Sequence, residues 1–300
     1  MFSKILIYSS NIKRVKNNPK AANFFWSGEL TFYELSNLLS FKKNGFEVIV
    51  WSYEDLDLPK GILQKDASEI ISQNYLTLFN QNFQKQNLSS FSNLFRYELL
   101  KKYGGWWFDS DCICLRPVED FVKLTINKPF VLAYENSELI GSSAMYINDM
   151  EIVDSLRNEI YKRIDKNNFK FFWGEIGPNL ITDVFAEKNI FNMVLSSNTF
   201  FPVPPSSIKL FFLPKDYPLL LEKISESYIC HTWNEMFRRY NISKTILPPK
   251  NSFLDNYIKE FYPDLKNRRY SKLMRIRFNL VIQYLFKAIS RIKTFTKYAN

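Results

Sequence analysis

The stretch from Phe91 to Asp111 narrows what this chain can fold into more than any other. Phe91, Phe95 and Leu99 recur every four residues, the repeat of a helix with one buried stripe, while Asn93, Arg96 and Leu100 share another face. Ser89 or Ser90 is placed to cap the start of this helix and Gly104-Gly105 to end it. Trp106-Trp107-Phe108-Asp109 then reads as a strand, and Arg116-Pro117 closes the extended stretch. Helix, tight turn and strand in that order form one unit of an α/β fold, and this unit carries Asp109 and Asp111 to the carboxyl end of its strand.

The remainder repeats the alternation. The pattern predicts a strand over 23–26, a helix over 30–43 stopped by Asn44-Gly45, a strand over 46–51 and a short helix over 66–70 opened by Asp66. Further strands are expected over 130–134 and 143–147, helices over 150–164 and 179–188, and a Pro-rich loop over 201–206. With 300 residues, 46% hydrophobic and 17% aromatic, the chain has material for one large α/β domain over 1–264 and an appendage over 265–300. It has no internal repeat, no GxGxxG after a strand and no P-loop, so a nucleotide's phosphates would have to be held without those glycines.

The formal charge of +10 suggests a nucleic-acid binder until its location is read. Ten basic and no acidic residues lie from Leu265 onward, which leaves the body neutral. Within this tail Met274, Phe278, Val281, Leu285, Ala288, Ile292 and Phe295 form a helical apolar stripe flanked by basic residues, a pattern suited to an anionic membrane surface. The alternative is a helix packed on the body with a solvated basic side. No uncharged apolar run is long enough to cross a bilayer, and the first residues lack the apolar region and cleavage site of a signal peptide, so a cytoplasmic location, peripheral on the membrane, is expected. Cys112, Cys114 and Cys230 make an odd count, read as free thiols; with His231 they could make a zinc site, but their spacing is not a usual one.

Chemistry is concentrated at Asp109-Ser110-Asp111. In an extended segment residues i and i+2 share a side, which predicts both carboxylates facing one cation, Ser110 turned away, and Cys112 and Cys114 on the opposite face. Carboxylates suit Mg²⁺ or Mn²⁺, and such a cation can neutralise a departing nucleoside diphosphate. Two aspartates and a cation also serve phosphotransferases and nucleases, but further acidic ligands are not clustered in the nearby sequence.

The run Ser92-Asn93-Leu94-Phe95-Arg96 through Gly104-Gly105-Trp106-Trp107-Phe108-Asp109-Ser110-Asp111 resembles the DxD sugar-binding region of glycosyltransferase family thirty-two. The resemblance extends from Phe24-Phe25-Trp26-Ser27-Gly28 and Trp51-Ser52-Tyr53 to Gly177-Pro178 and His231-Thr232-Trp233-Asn234, roughly residues 23–240. It implies a GT-A fold, a single Rossmann-like domain, and transfer of a hexose with retention of configuration. Relatives include the α-1,4-glycosyltransferases and, distantly, the clostridial glucosylating toxins. Carried over, it makes Asp109 and Asp111 catalytic, with Asp111 the direct metal ligand, Asp109 assisting and His231 a third ligand whose nitrogen favours Mn²⁺. Donor binding falls to Trp26 stacking on the base, Tyr53, Asn93, Arg96, Trp107, Asp109 and Trp233. Where the family has Asp this chain has Asn93, whose amide lacks the charge assistance of a carboxylate, so the donor sugar is left open. The resemblance further implies a nucleotide-sugar donor, a UDP-sugar ahead of a GDP-sugar, and a glycan or lipid-linked saccharide acceptor in surface polysaccharide or oligosaccharide synthesis. The competing reading is a nucleic-acid or anionic-membrane binding protein acting through its basic tail.

Overall fold

The computed structural model describes residues 17–81 and 88–270. In chain order, β1 (Ala21–Phe25) leads through α1 (Phe32–Lys43) to β2 (Glu47–Ser52) and β3 (Leu63–Asp66); α2 (Gln73–Gln81) and α3 (Leu88–Lys102) precede β4 (Trp106–Phe108). β5 (Cys112–Cys114), α4 (Val118–Thr125), β6 (Phe130–Val131) and β7 (Ala144–Ile147) follow, then α5 (Met150–Asn167) and α6 (Pro178–Lys188). The last described elements are α7 (Tyr217–Ile224), β8 (Ile229–His231), α8 (Asn234–Arg239) and α9 (Phe253–Phe261).

Six strands form one sheet in the order β3-β2-β1-β4-β7-β6. The first four are parallel and the last two antiparallel to their neighbours. Alternation along each strand divides the interior into two cores. Ala22, Phe24, Val48, Val50, Trp106 and Phe108 enter the core shared with α1 and α9, whereas Phe25, Ile49, Trp51 and Trp107 enter the one shared with α3, α5 and α6. Both faces are therefore covered along β1, β2 and β4, which are buried almost throughout. The expected α/β class holds, and the mostly parallel sheet with the Asp pair at the carboxyl end of a central strand is the GT-A arrangement.

Strand order reverses between β1 and β4: β2 and β3 extend the sheet on one side of β1, and the chain then crosses to the other. Open α/β sheets bind ligands outside the carboxyl ends of the strands at such a switch point. Trp26 leaves the end of β1 and Asp109 the end of β4, so this topology places both at that crevice.

Some boundaries differ from the sequence reading. α3 begins at Leu88, so Ser89 and Ser90 lie inside the helix and do not cap it. α1 starts two residues later than expected, because Thr31 and Glu34 make a reciprocal capping box. The Asp66 cap stands, accepting from the Ser68 N–H at 2.8 Å. Gly104 and Gly105 end α3 with φ of 67° and 77°; a side chain on Gly105 would also press on the Asn18 carbonyl. Residues 265–270 are tied to the body: Leu247 and Arg269 form a bridge, and Arg269 pairs with the buried Asp255. The amphipathic helix read over 273–295 lies outside the described residues. No described helix is long and apolar enough to cross a membrane.

Candidate active site

Asp109, Ser110 and Asp111 do not continue the strand. The Cys112 N–H returns to the Asp109 carbonyl at 3.0 Å, closing a tight turn between β4 and β5. The expectation that strand alternation aligns the two carboxylates is thus corrected, since each is positioned by separate partners. Asp109 Oδ1 accepts from the Arg96 guanidinium (Nη2) and from Trp107 Nε1–H, both at 2.8 Å, and its backbone N–H donates to the Ser143 carbonyl at 2.7 Å. These leave Oδ2 without a protein partner among the described residues.

Asp111 is held from the opposite side. β5 pairs antiparallel with β8, setting Cys112 across from His231, and Thr232 donates to the Asp111 carbonyl through both its N–H and its hydroxyl. His231 Nε2 lies 2.9 Å from Asp111 Oδ1, while the Asn234 N–H, in the first turn of α8, donates to Oδ2 at 2.8 Å. Burial alone would raise the Asp111 pKa; the facing imidazole, the Asn234 N–H and the Lys244 ammonium outweigh it and hold the carboxyl below its ordinary value. For His231 burial works toward the neutral form, but Asp111 prevails and the pKa rises.

The donor set fits a divalent cation. Asp111, Cys112 and His231 offer ligand atoms within 4.8 Å of one another. Neighbouring ligands about 2.1 Å from one octahedral ion lie about 3 Å apart, close to the 2.9 Å between Asp111 Oδ1 and His231 Nε2. His231 Nδ1 is buried without a hydrogen-bond partner among the described residues, so the ring lacks the outer bond that usually orients a metal-bound imidazole and is held by packing against Trp233 and Phe201. Cys112 does not fit. Burial first, then the carboxylates of Asp111 and Asp109, push its thiol well above the usual range, and a protonated sulfur is a poor ligand for a hard ion. Its position beside Asp111 also corrects the expectation that Cys112 faces away. All three cysteines are free and buried, and Cys114 and Cys230 are not in the ligand group.

Against this geometry, two family descriptions match the chain. Residues 10–131 match the glycosyltransferase sugar-binding region containing a DXD motif, and residues 155–265 the α-1,4-glycosyltransferase conserved region. The chain is therefore a glycosyltransferase that carries a DXD-containing sugar-binding region. It is an enzyme of sugar transfer, and Asp109-Ser110-Asp111 is the triplet that fits the motif. No curated protein gives a significant match. Among solved structures it is similar to the PaToxG glycosyltransferase (13% identity, 56% of this chain and 68% of that one, TM-score 0.41). It is also similar to the galactosyltransferase LgtC with donor and acceptor sugar analogs (9%, 86% and 99%, 0.43) and to mouse xyloside xylosyltransferase 1 (9%, 72% and 98%, 0.38).

The other residues read from the glycosyltransferase's sequence fall into two groups. Trp26 is half-buried at the end of β1, its Nε1–H on the Gly28 carbonyl and the Lys244 ammonium 5.3 Å from its ring centre. Arg96 is buried, stacked 5.0 Å from the Trp107 ring centre, and bonded to Asp109 and the Ser142 carbonyl. Asn93 lies one turn earlier on α3, donating to the Ser89 carbonyl, with its amide against Gly177. These three line the switch point or border it. Trp107 is only 1% exposed, so it reaches the site through Asp109 and offers no face to a sugar. Trp233 is buried too, its N–H on the Val203 carbonyl and its ring 4.2 Å from that of His231, which makes it a support for the imidazole. Tyr53 donates to the Ile71 carbonyl and packs on Phe25 and Phe91, away from the aspartates.

Sequence reasoning missed Lys244, Glu34, Asn234 and Glu135. Lys244 pairs with the fully buried Glu34, which also accepts from Asn234 at 3.3 Å. This chain of contacts joins Trp26 to the Asp111 side of the crevice. Nothing in the local sequence marks these residues, because they meet only across the fold.

Proposed function

We propose that this glycosyltransferase moves a hexose from a nucleotide sugar, a UDP-sugar ahead of a GDP-sugar, to a saccharide acceptor with retention of configuration and with a divalent metal. The observation that carries the reading is the buried Asp111–His231 pair, two groups of suitable ligand spacing supplied by the β4–β5 turn and by β8, far apart in sequence.

Asp111 and His231 would hold the ion, with Asp109 Oδ2 turned to the same site or to the sugar. When bound, the ion supplies charge neutralisation for the leaving diphosphate. The protein's own groups prepare the rest. Arg96 and Trp107 fix the Asp109 carboxylate in one orientation, Asn234 fixes that of Asp111, and Lys244 sits between the base-side Trp26 and the metal side, where a diphosphate would lie. These groups are set before substrate arrives, the condition under which electrostatic stabilisation is strongest. Mn²⁺ is favoured over Mg²⁺ by the imidazole nitrogen.

The test is a donor screen of UDP- and GDP-sugars by thermal shift and hydrolysis, with and without Mn²⁺. A single nucleotide that stabilises the protein only with metal supports the reading, and no response under any condition ends it. Trp26→Ala is expected to weaken nucleoside diphosphate binding by roughly ten- to a hundredfold, the effect of removing an aromatic platform under a base, with melting temperature little changed. Titration calorimetry with UDP and Mn²⁺ measures this. The tail's ten basic residues extend the proposal to acceptors carried on an anionic membrane surface, as in polysaccharide synthesis. Co-sedimentation of the full chain with phosphatidylglycerol vesicles, lost in high salt, is the expected result; equal binding to neutral phosphatidylcholine vesicles overturns it.

A further inference from the structure

One charged group near the site has no partner among the described residues. Glu135 is 9% exposed, yet its carboxylate makes no hydrogen bond or ion pair with any described residue. It stands at the base of a hairpin that follows β6, where its N–H donates to the Leu139 carbonyl at 2.8 Å and the Gly141 N–H to that of Ala133 at 3.0 Å. Asn136 Oδ1 ties the hairpin loop by accepting from the Glu138 and Leu139 N–H groups. The hairpin thus holds its shape through backbone bonds and Asn136, with no help from the Glu135 side chain.

The same hairpin abuts the active centre. Its returning arm supplies the Ser142 carbonyl to Arg96 and the Ser143 carbonyl to the Asp109 N–H. Gly141 lies so close to the Phe201 ring that a Cβ there would come within 2.2 Å of it, and Phe201 in turn packs edge-on against His231. The charged groups that act on Glu135 are accordingly His231 and Asp109, both members of the site. Neither satisfies it. His231 already faces Asp111, Asp109 repels it, and the nearby Arg96 is committed to Asp109. Burial first, with Asp109, pushes the Glu135 pKa up.

Glu135 is largely buried while its carboxylate oxygens keep some contact with the crevice, so a carboxylate that the fold does not use for its own bonds is open to a ligand there. Glu135 lies outside the group whose ligand atoms all lie within 4.8 Å of one another, so it is read toward the sugar. A sugar hydroxyl fits: a carboxylate only accepts, and O–H to carboxylate bonds are among the strong ones. The hairpin points to the donor sugar, since its returning arm bonds Arg96 and the Asp109 N–H, groups assigned above to the donor side.

We propose that Glu135 accepts a hydrogen bond from a hydroxyl of the donor hexose and so helps to choose that hexose. This rests on the proposed function, and wild-type binding of UDP or GDP with Mn²⁺ is therefore measured first; its absence removes that reading itself. Glu135→Gln and Glu135→Ala are then compared with wild type by calorimetry and melting. Free nucleoside diphosphate with Mn²⁺ should bind unchanged, and the ligand-free melting temperature should stay level or rise, as it does when an unpartnered buried charge is removed. Affinity for the nucleotide hexose should fall at least about tenfold, with loss of discrimination between UDP-glucose and UDP-galactose. Three results overturn the proposal: unchanged nucleotide-hexose affinity, a lowered melting temperature in both variants, or a loss confined to transfer with donor affinity intact.

Discussion

Asp111→Asn is expected to lower turnover by about a thousandfold, corresponding to about 4 kcal/mol of lost transition-state stabilisation if the ion that assists diphosphate departure is no longer held. The substitution preserves volume and removes charge. It also disrupts the hydrogen bonding, because Asp111 Oδ1 faces His231 and Oδ2 accepts from the Asn234 N–H. An amide can place its oxygen toward only one of them, so some stability should be lost as well, about 1–3 kcal/mol for one unmatched buried group. The two effects separate experimentally: kcat with saturating donor and Mn²⁺ reports the first, and the melting temperature without ligands the second. If the variant keeps metal-dependent nucleotide binding and turns over normally, Asp111 is not the ligand. Asp109→Asn should leave the Asp111–His231 pair intact and release Arg96 from its ion pair, so it reports on the Arg96 half of the site and not on the buried pair.

The second large effect concerns the scaffold beneath the site. Arg157 on α5 donates to both carboxylate oxygens of Glu98 on α3, at 2.9 and 3.0 Å, and Tyr161 donates its hydroxyl to the same carboxylate. Both charged side chains are at most 7% exposed. Arg157→Ala leaves the Glu98 charge buried with only Tyr161 to satisfy it, and such a deletion typically costs 3–5 kcal/mol, enough to lower the melting temperature by about 10 °C or more. Replacing the pair together, Glu98→Leu with Arg157→Met, should restore much of that loss, since apolar groups of similar volume need no partners. Thermal melts of the three variants check this, and equal destabilisation by single and double replacement would refute it. Glu98 turns toward α5, and Arg96 is left for Asp109.

Much of this architecture was legible in residue order. The helix ending at Gly104-Gly105 followed by a strand ending at Asp109 depends on interactions between near neighbours, and it stands with an earlier start at Leu88. The same holds for Asp66 as a cap, Met150 as the start of α5 and the α6 segment, apart from its first residue. Shorter elements were missed. β3 is exposed along much of its length and β8 has three residues, too few to show a period, while α7 to α9 lie in a stretch where proline and short turns interrupt the pattern.

The sequence by itself determined the α/β class, the Asp109-Ser110-Asp111 triplet at the end of a central strand, and the concentration of positive charge beyond Leu265. These follow from spacing and composition. Only the tertiary structure decided how the triplet is used: that it forms a turn and not a continued strand, that Asp111 meets His231 through the β5–β8 pairing while Asp109 belongs to Arg96 and Trp107, and that Glu135 is buried beside them unpartnered. Hydrogen-bond partners separated by a hundred residues leave no local period to read, because they are chosen by where the sheet and its covering helices bring the chain back on itself.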